Sequence, residues 1–322
     1  MMPPGGRHPM PFVLIVAVAV LTGNSLVCND SCVCDWYPGS CSSPSILLAG
    51  RSITGQVTPA WFASVPSLSA YTALYLSANS ITSVDPAAFS ALTALRLLDL
   101  SVNQLSGLEA DTFRFNTRLT NLNLVVNQLT VLQSGIFSSL TQLQILNVAR
   151  NSLTWTPAGS LSGPTSFLNY LTLAPFLMAA MDPDAFSMLT ALQMLSMGSN
   201  HFTALPSLSA LTQLRQLDLT DNQLQSIPAG MFLYNTRLTW LSISSSTMTA
   251  IDSGAFSTLS RLTYLQMDTL QVTSIPARLL SSLTTLTSMT MYNLPLVNAL
   301  DRNLFQSLVS FSSSSELLGL CI

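Results

Sequence analysis

An α/β-type solenoid, a horseshoe with a concave parallel β-sheet and irregular or 3-10 convex arcs, is predicted by three recurrences in this 322-residue chain. Residues 98–105 (L-D-L-S-V-N-Q-L), 122–129 (L-N-L-V-V-N-Q-L) and 146–153 (L-N-V-A-R-N-S-L) repeat one octet pattern. Within them Asn103, Asn127 and Asn151 stand 24 residues apart, and so do Phe89, Phe113 and Phe137. A fixed period of this length makes each unit one strand plus a returning arc, and stacked units bury a continuous core between them.

Taken in order, the chain first presents a leader. Residues 1–25 read as a signal peptide: Arg7 gives a positive start, residues 12–21 an apolar stretch, and Gly23 and Ser25 are small residues suited to cleavage. Ten apolar residues fall short of the about 20 that span a bilayer. An uncleaved anchor is the alternative. With no longer apolar run downstream, the expectation is a secreted, extracellular protein, associated with a membrane only through that leader or a missing carboxy-terminal segment.

Residues 26–45 hold Cys28, Cys32, Cys34 and Cys41, spaced C-x3-C-x-C-x6-C. In an exported chain this cluster reads as two disulfides. Zinc is the weaker reading, because zinc sites pair cysteines as C-x2-C and oxidising compartments disfavour them. Spacing alone leaves three connectivities. A solenoid also needs its first core layer and strand edge sealed. Standing directly before the first repeat, this spacing resembles the amino-terminal cap of extracellular leucine-rich-repeat proteins, as in Slit-type guidance proteins, small leucine-rich proteoglycans and variable lymphocyte receptors. The resemblance covers about residues 28–310. It implies pairing Cys28–Cys34 and Cys32–Cys41. Family caps place the fourth cysteine inside the first strand, where this chain has Leu48. The sequon at Asn29 marks a glycosylation position between the first two cysteines, making the chain a candidate glycoprotein.

Residues 46–310 form the predicted solenoid of about 10–11 repeats. The asparagine column runs Asn79, Asn103, Asn127, Asn151, Phe176, Asn200, Asn222, Ser246, Leu270, Leu294, in steps of 24 except 25 before Phe176 and 22 before Asn222. An amide both donates and accepts, so asparagine suits the point where each strand turns away. Leu270 and Leu294 cannot do this, which predicts a looser, wetter ladder in the last third. The aromatic column (Phe89, Phe113, Phe137, Leu161, Phe186, Leu208, Phe232, Phe256, Leu280, Phe305) reads as core stacked behind the sheet. Residues 113–122 and 232–241 are near copies, which points to duplicated units. Residues 311–322 form a serine-rich tail ending near Cys321, without the second cysteine-rich cap that resembling proteins carry.

Chemistry is sparsely provided. There is no Lys, eleven Arg and a formal charge of −3. With no clustered basic face, nucleic acid is excluded from the expected partners. A mean hydropathy of +0.46 reflects leucines spread periodically rather than one long apolar run. Past the leader His201 is the lone histidine, and Glu109 and Glu316 are the only glutamates. No nucleophile–base pairing or phosphate loop surrounds His201, so no catalytic residue, metal site or cofactor is expected, and the chain reads as a non-enzyme.

What remains is the concave sheet, where strand alternation turns every second residue outward. The outward columns bring Tyr170, Asp218, Trp240, Tyr264, Gln266, Asp268 and Tyr292 forward as ligand-binding candidates, with the last strands carrying Trp240, Tyr264 and Tyr292 in succession. Tyr and Trp dominate interface energetics. The expected function is extracellular recognition of a protein or glycan. The alternatives are a structural matrix or cell-wall protein, or the ectodomain fragment of a longer receptor.

Overall fold

The computed structural model describes residues 45–154, 159–161, 167–174, 178–245, 247–294, 304–306 and 308. The leader, the cap with Cys28, Cys32, Cys34, Cys41 and Asn29, the positions Phe176 and Ser246, and the tail with Cys321 lie outside the described residues. In chain order the strands are β1 (Ser45–Leu47), β2 (Thr54–Val57), β3 (Ala73–Tyr75), β4 (Ser80–Val84), β5 (Leu97–Asp99), β6 (Asn121–Asn123), β7 (Ile145–Asn147) and β8 (Tyr170–Thr172). They continue as β9 (Met194–Ser196), β10 (Gln216–Asp218), β11 (Ser226–Ile227), β12 (Trp240–Ser242), β13 (Ala250–Ile251), β14 (Tyr264–Gln266) and β15 (Ser288–Thr290).

Eleven of these make one parallel sheet, ordered β1-β3-β5-β6-β7-β8-β9-β10-β12-β14-β15. Each unit therefore contributes one three-residue strand, and each pairs only with the unit before and after it. The other four form two small parallel pairs, β2·β4 and β11·β13, where arcs run side by side. Behind the sheet the arcs are chains of turns, with 3-10 helices at Pro59–Phe62 and Leu68–Ala70, and no α-helix among the described residues. The predicted solenoid is present, with its convex side built from turns.

Register holds through every irregular spacing. Leu146 pairs with Leu171 across the 25-residue step, and Leu195 with Leu217 across the 22-residue step. The arcs absorb the length differences. The central residue of each strand is buried in one continuous core, and behind it the aromatic column stacks from unit to unit. Phe89, Phe113 and Phe137 lie 6.4 and 6.5 Å apart, and Phe232 and Phe256 6.3 Å apart. Phe62 extends this column forward at 6.5 Å from Phe89, although its unit is the least regular.

The asparagine ladder shows why that residue is needed. Asn127 donates from Nδ2 to the carbonyls of Leu100 and Leu124, both at 3.0 Å, and its Oδ1 accepts the Leu105 amide at 3.1 Å. Asn103 repeats this one unit earlier, donating to Leu76 and Leu100 and accepting from Ile81. Each strand-end carbonyl therefore serves two asparagines, its own and the next. The residue just before the ladder position is left-handed in eight units: Ala78, Val102, Val126, Arg150, Ser199, Asp221, Thr269 and Asn293 have φ of 52–59°. Valine is a poor occupant of that region, so the fold imposes this turn against local preference.

The last third departs from the ladder in a different way from the expected one. Leu270 is fully buried, so an apolar side chain fills the slot that asparagine takes elsewhere. The Met248 amide, which an asparagine at 270 would accept, turns to the Ser245 carbonyl at 3.3 Å. Ser245 supplies the serine hydroxyl, donating to the Asn222 carbonyl at 2.8 Å, and Thr247 donates to Leu224 at 3.1 Å.

Candidate functional site

The strand register aligns three outward columns on the concave face. Trp240 sits opposite Gln216 and Tyr264, and Tyr264 opposite Ser288. In the middle column Asp218 sits opposite Ser242, Ser242 opposite Gln266, and Gln266 opposite Thr290. The third column, two residues beyond, carries small side chains for most of its length (Ser77, Ser101, Ala149, Gly198, Thr220, Ser244) before ending in Asp268 and Tyr292. Among the described residues of these columns the ionisable carboxyls are Asp99, Asp218 and Asp268, and there is no Arg, His or Glu.

Trp240 and Tyr264 meet as predicted. Their rings are parallel within 4° with centroids 5.4 Å apart, an offset stack across adjacent strands. Both are half-buried, whereas Tyr292 is 45% exposed. Tyr170, 42% exposed, belongs to the same column as Trp240 but stands three strands away, beyond Met194 and Gln216. The structure does not bring it to the stack.

Asp268 corrects the expectation of an outward charge: it is 1% exposed. Its carboxylate accepts from Gln266 Nε2 at 2.9 Å, Thr290 Oγ1 at 3.0 Å and the Tyr292 amide at 3.1 Å, and its own amide donates to Ser244 Oγ at 3.0 Å. Gln266 is held at its other end, where its Oε1 accepts from Ser242 Oγ at 2.8 Å. The physical reason is the concave curvature, which crowds neighbouring outward side chains until short polar ones bond across strands instead of facing water. Gln266 and Asp268 thus form a polar floor that fixes the backbone carrying Tyr292.

Asp218 is half-buried in a separate network, accepting from the Thr220 hydroxyl at 2.7 Å, the Thr220 amide at 3.1 Å and Ser196 Oγ at 3.3 Å. Gly198 makes this possible, since a Cβ there would stand 2.9 Å from the Asp218 carboxylate and 2.8 Å from Thr220 Oγ1. Among the described residues no Arg comes within ion-pair distance of Asp218 or Asp268; the ion pair found is Arg114–Asp111. Sequence reasoning passed over Ser242, Ser244 and Thr290, whose only signal was an unusual run of hydroxyls in two adjacent columns.

His201 is exposed, with its Nδ1 2.8 Å from Gln223 Nε2. No group of three metal-binding side chains occurs among the described residues. None of the helices there is long and apolar enough to cross a membrane.

Comparisons place this geometry among known proteins. No curated protein matches the sequence. Of solved structures, the chain is similar to one in the glycosylated Toll–Spatzle complex of Drosophila, with a TM-score of 0.70 and 25% identity over 77% of this chain and 33% of that one. It is also similar to a chain of the TLR13–ssRNA13 complex, at TM-score 0.60 and 23% identity, covering 80% of this chain and 41% of that one. The internalin InlF of Listeria monocytogenes gives 0.58 and 20%, covering 84% of each chain. Against the first two, the chain spans less than half of their length. A family model described as leucine rich repeat matches residues 71–129, 117–174 and 212–269, and one described as leucine rich repeats in two copies matches 190–229. With more than half of its residues so matched, the chain belongs to the leucine-rich repeat family.

Proposed function

We propose that the chain is a secreted recognition protein, without catalytic activity, that binds a protein or glycan partner on its concave face between β10 and β15. The observation that carries this reading is the Trp240–Tyr264 stack, a preformed aromatic pair on the outward face of the sheet. Aromatic anchors of fixed geometry supply most of the binding energy of an interface at low entropic cost. Beside the stack, Ser242, Gln266, Asp268 and Thr290 bond across the strands β12, β14 and β15 that carry it and its neighbour. The Toll chain similar to this one is in complex with Spatzle, which is in keeping with a protein ligand. The TLR13 chain is in complex with ssRNA13. Among the described residues the three concave columns hold no cation that would anchor a polyanion, which is the ground for preferring a protein or glycan. A cap closed by Cys28, Cys32, Cys34 and Cys41 and a glycan at Asn29 complete the reading, and free thiols at all four cysteines in exported material would count against it.

The test is capture of extracellular proteins and arrayed glycans by the intact chain, repeated with Trp240→Ala. Partners bound through this face should lose at least about 2 kcal/mol of affinity in the variant. Thermal stability should change little, because the indole is half-exposed. Partners retained at full affinity by Trp240→Ala place the binding surface elsewhere.

A further inference from the structure

Charge is sorted by face along this solenoid. The run from the aromatic column to the strand forms one flank. There the residue just before each strand bonds to its counterpart one unit back, in an unbroken series from Arg96 to Thr287. From the unit of β5 to that of β15 this run holds no Asp or Glu, and it carries Arg96, Arg114, Arg118, Arg215, Arg237 and Arg261. Three of these gather on neighbouring units. Arg215 leads into β10, Arg237 into β12 and Arg261 into β14, strands adjacent in the sheet, so their backbones span about 10 Å at ~4.8 Å per step. Along the chain they stand 22 and 24 residues apart. The expectation of no basic cluster rests on that spacing and does not hold on this flank. All three are exposed, and among the described residues no carboxylate lies within ion-pair distance of any of them; the ion pair found there is Arg114–Asp111. The carboxyls of these units lie elsewhere: Asp218 and Asp268 bond within the concave face, Asp221 follows β10, and Asp252 follows β13 on the arc. Arg237 is held in place, its Nη1 donating to Gln213 Oε1 one unit back.

We infer that this flank binds a sulfated polysaccharide, with Arg215, Arg237 and Arg261 each holding a sulfate group. The inference goes beyond the concave-face reading and takes from it only that the chain is secreted. Like charges on neighbouring units repel, and a bound anion removes that cost. A guanidinium presents a planar fork of donors that meets the oxygens of a tetrahedral anion two at a time. A polymer bearing anions along its length can engage three such forks set one unit apart, and each contact releases a counterion. Thr212, Thr236 and Ser260, exposed beside the arginines, offer hydroxyls to the sugar rings. A single-stranded nucleic acid fits less well. Its bases need a row of rings to stack on, and in these three runs Tyr234 is the one exposed aromatic.

The experiment titrates the full chain by calorimetry with a heparin hexasaccharide, its desulfated counterpart and a uridylate octamer, at about 0.15 M salt. The sulfated hexasaccharide should bind saturably with a Kd of about 100 μM or lower, and weaken steadily as salt rises. The desulfated sugar, which keeps its carboxylates, should bind at least about tenfold more weakly. The triple variant Arg215→Gln, Arg237→Gln, Arg261→Gln should lose at least about tenfold in affinity and most of the salt dependence. A second triple, Arg51→Gln, Arg96→Gln, Arg118→Gln, removes the same charge from the amino-terminal units, beyond the screening length, and should lose less than about twofold. Both should keep the native circular dichroism, since every substituted residue is exposed. Equal loss in the two triples, equal binding of the desulfated sugar, tighter binding of the uridylate octamer, or no saturable binding up to about 1 mM overturns the inference. Should the hexasaccharide fail while concave-face partners are still lost in Trp240→Ala, this inference falls and that reading stands. Hexasaccharide binding alongside partners that survive Trp240→Ala does the reverse.

Discussion

Truncating Asn127 tests whether the asparagine ladder is a row of independent caps or a shared network. Asn127 is 7% exposed; it takes one hydrogen bond and gives two at 3.0 Å and a longer third, to Val125, at 3.4 Å. In Asn127→Ala the Leu105 amide, in a fully buried residue, loses its acceptor, at a cost of about 1–3 kcal/mol. The two carbonyls fare better. Leu100 keeps its bond from Asn103 at 3.0 Å and Leu124 its bond from Asn151 at 2.9 Å, so each loses only a second partner. Adding a few tenths to 1 kcal/mol for each, the single change should cost about 2–5 kcal/mol. The double change Asn103→Ala with Asn127→Ala strips the Leu100 carbonyl of both asparagine donors. It should exceed the sum of its singles by about 1 kcal/mol. Asn79 and Asn127 share no carbonyl, so that pair should add without excess. Urea unfolding of the three singles and two doubles measures this, with hydrogen exchange at Leu105 reporting the local opening. Additivity in both pairs, or a Leu105 amide as protected in Asn127→Ala as in the native chain, refutes the shared network.

The aromatic column should tolerate leucine and not alanine. Phe113→Leu should cost about 1 kcal/mol, as the natural Leu161 and Leu208 imply, and Phe113→Ala about 3–5 kcal/mol by thermal unfolding. Val126 sits at φ 54°, so Val126→Asn, which keeps a side chain but accepts that region, should raise stability by about 0.5–1 kcal/mol in the same assay. Asp268→Ala should lower stability by about 1–3 kcal/mol, because Gln266, Thr290 and the Tyr292 amide lose one common acceptor. It should also shift the Tyr292 amide resonance; a chain of native stability with that resonance unmoved would show that the floor does not fix β15.

The sheet and its register were legible from sequence because leucine spacing alone decides which residues point inward, and a one-residue slip would expose the whole row. That logic survived even the 25- and 22-residue units. It also placed Trp240 beside Tyr264, since register fixes neighbours within a column. It failed where contacts cross between columns. Asp268 counts as outward by alternation, yet curvature folds it under Gln266 and Thr290. The left-handed turns at Val102 and Val126 carry no local signal, because tertiary packing sets them against residue preference. The two near copies hid a further role: Asn116 and Asn235 each reach back to cap carbonyls in the preceding arc, Phe89 and Leu92 in one case, Leu208 and Leu211 in the other. Likeness between two copies carries no signal that separates common descent from a shared capping role.

Because arcs take up differences in length while strands stay paired, a repeat acts as a unit of displacement. One extra 24-residue unit inserted between β12 and β14 would move Trp240 and Tyr264 apart by another strand spacing of ~4.8 Å, dissolving the stack with every strand still paired. The same insertion ahead of β5 would carry the stack along bodily and leave it whole. Distance along this molecule is counted in repeats, so the order of the units is itself the address of the binding surface.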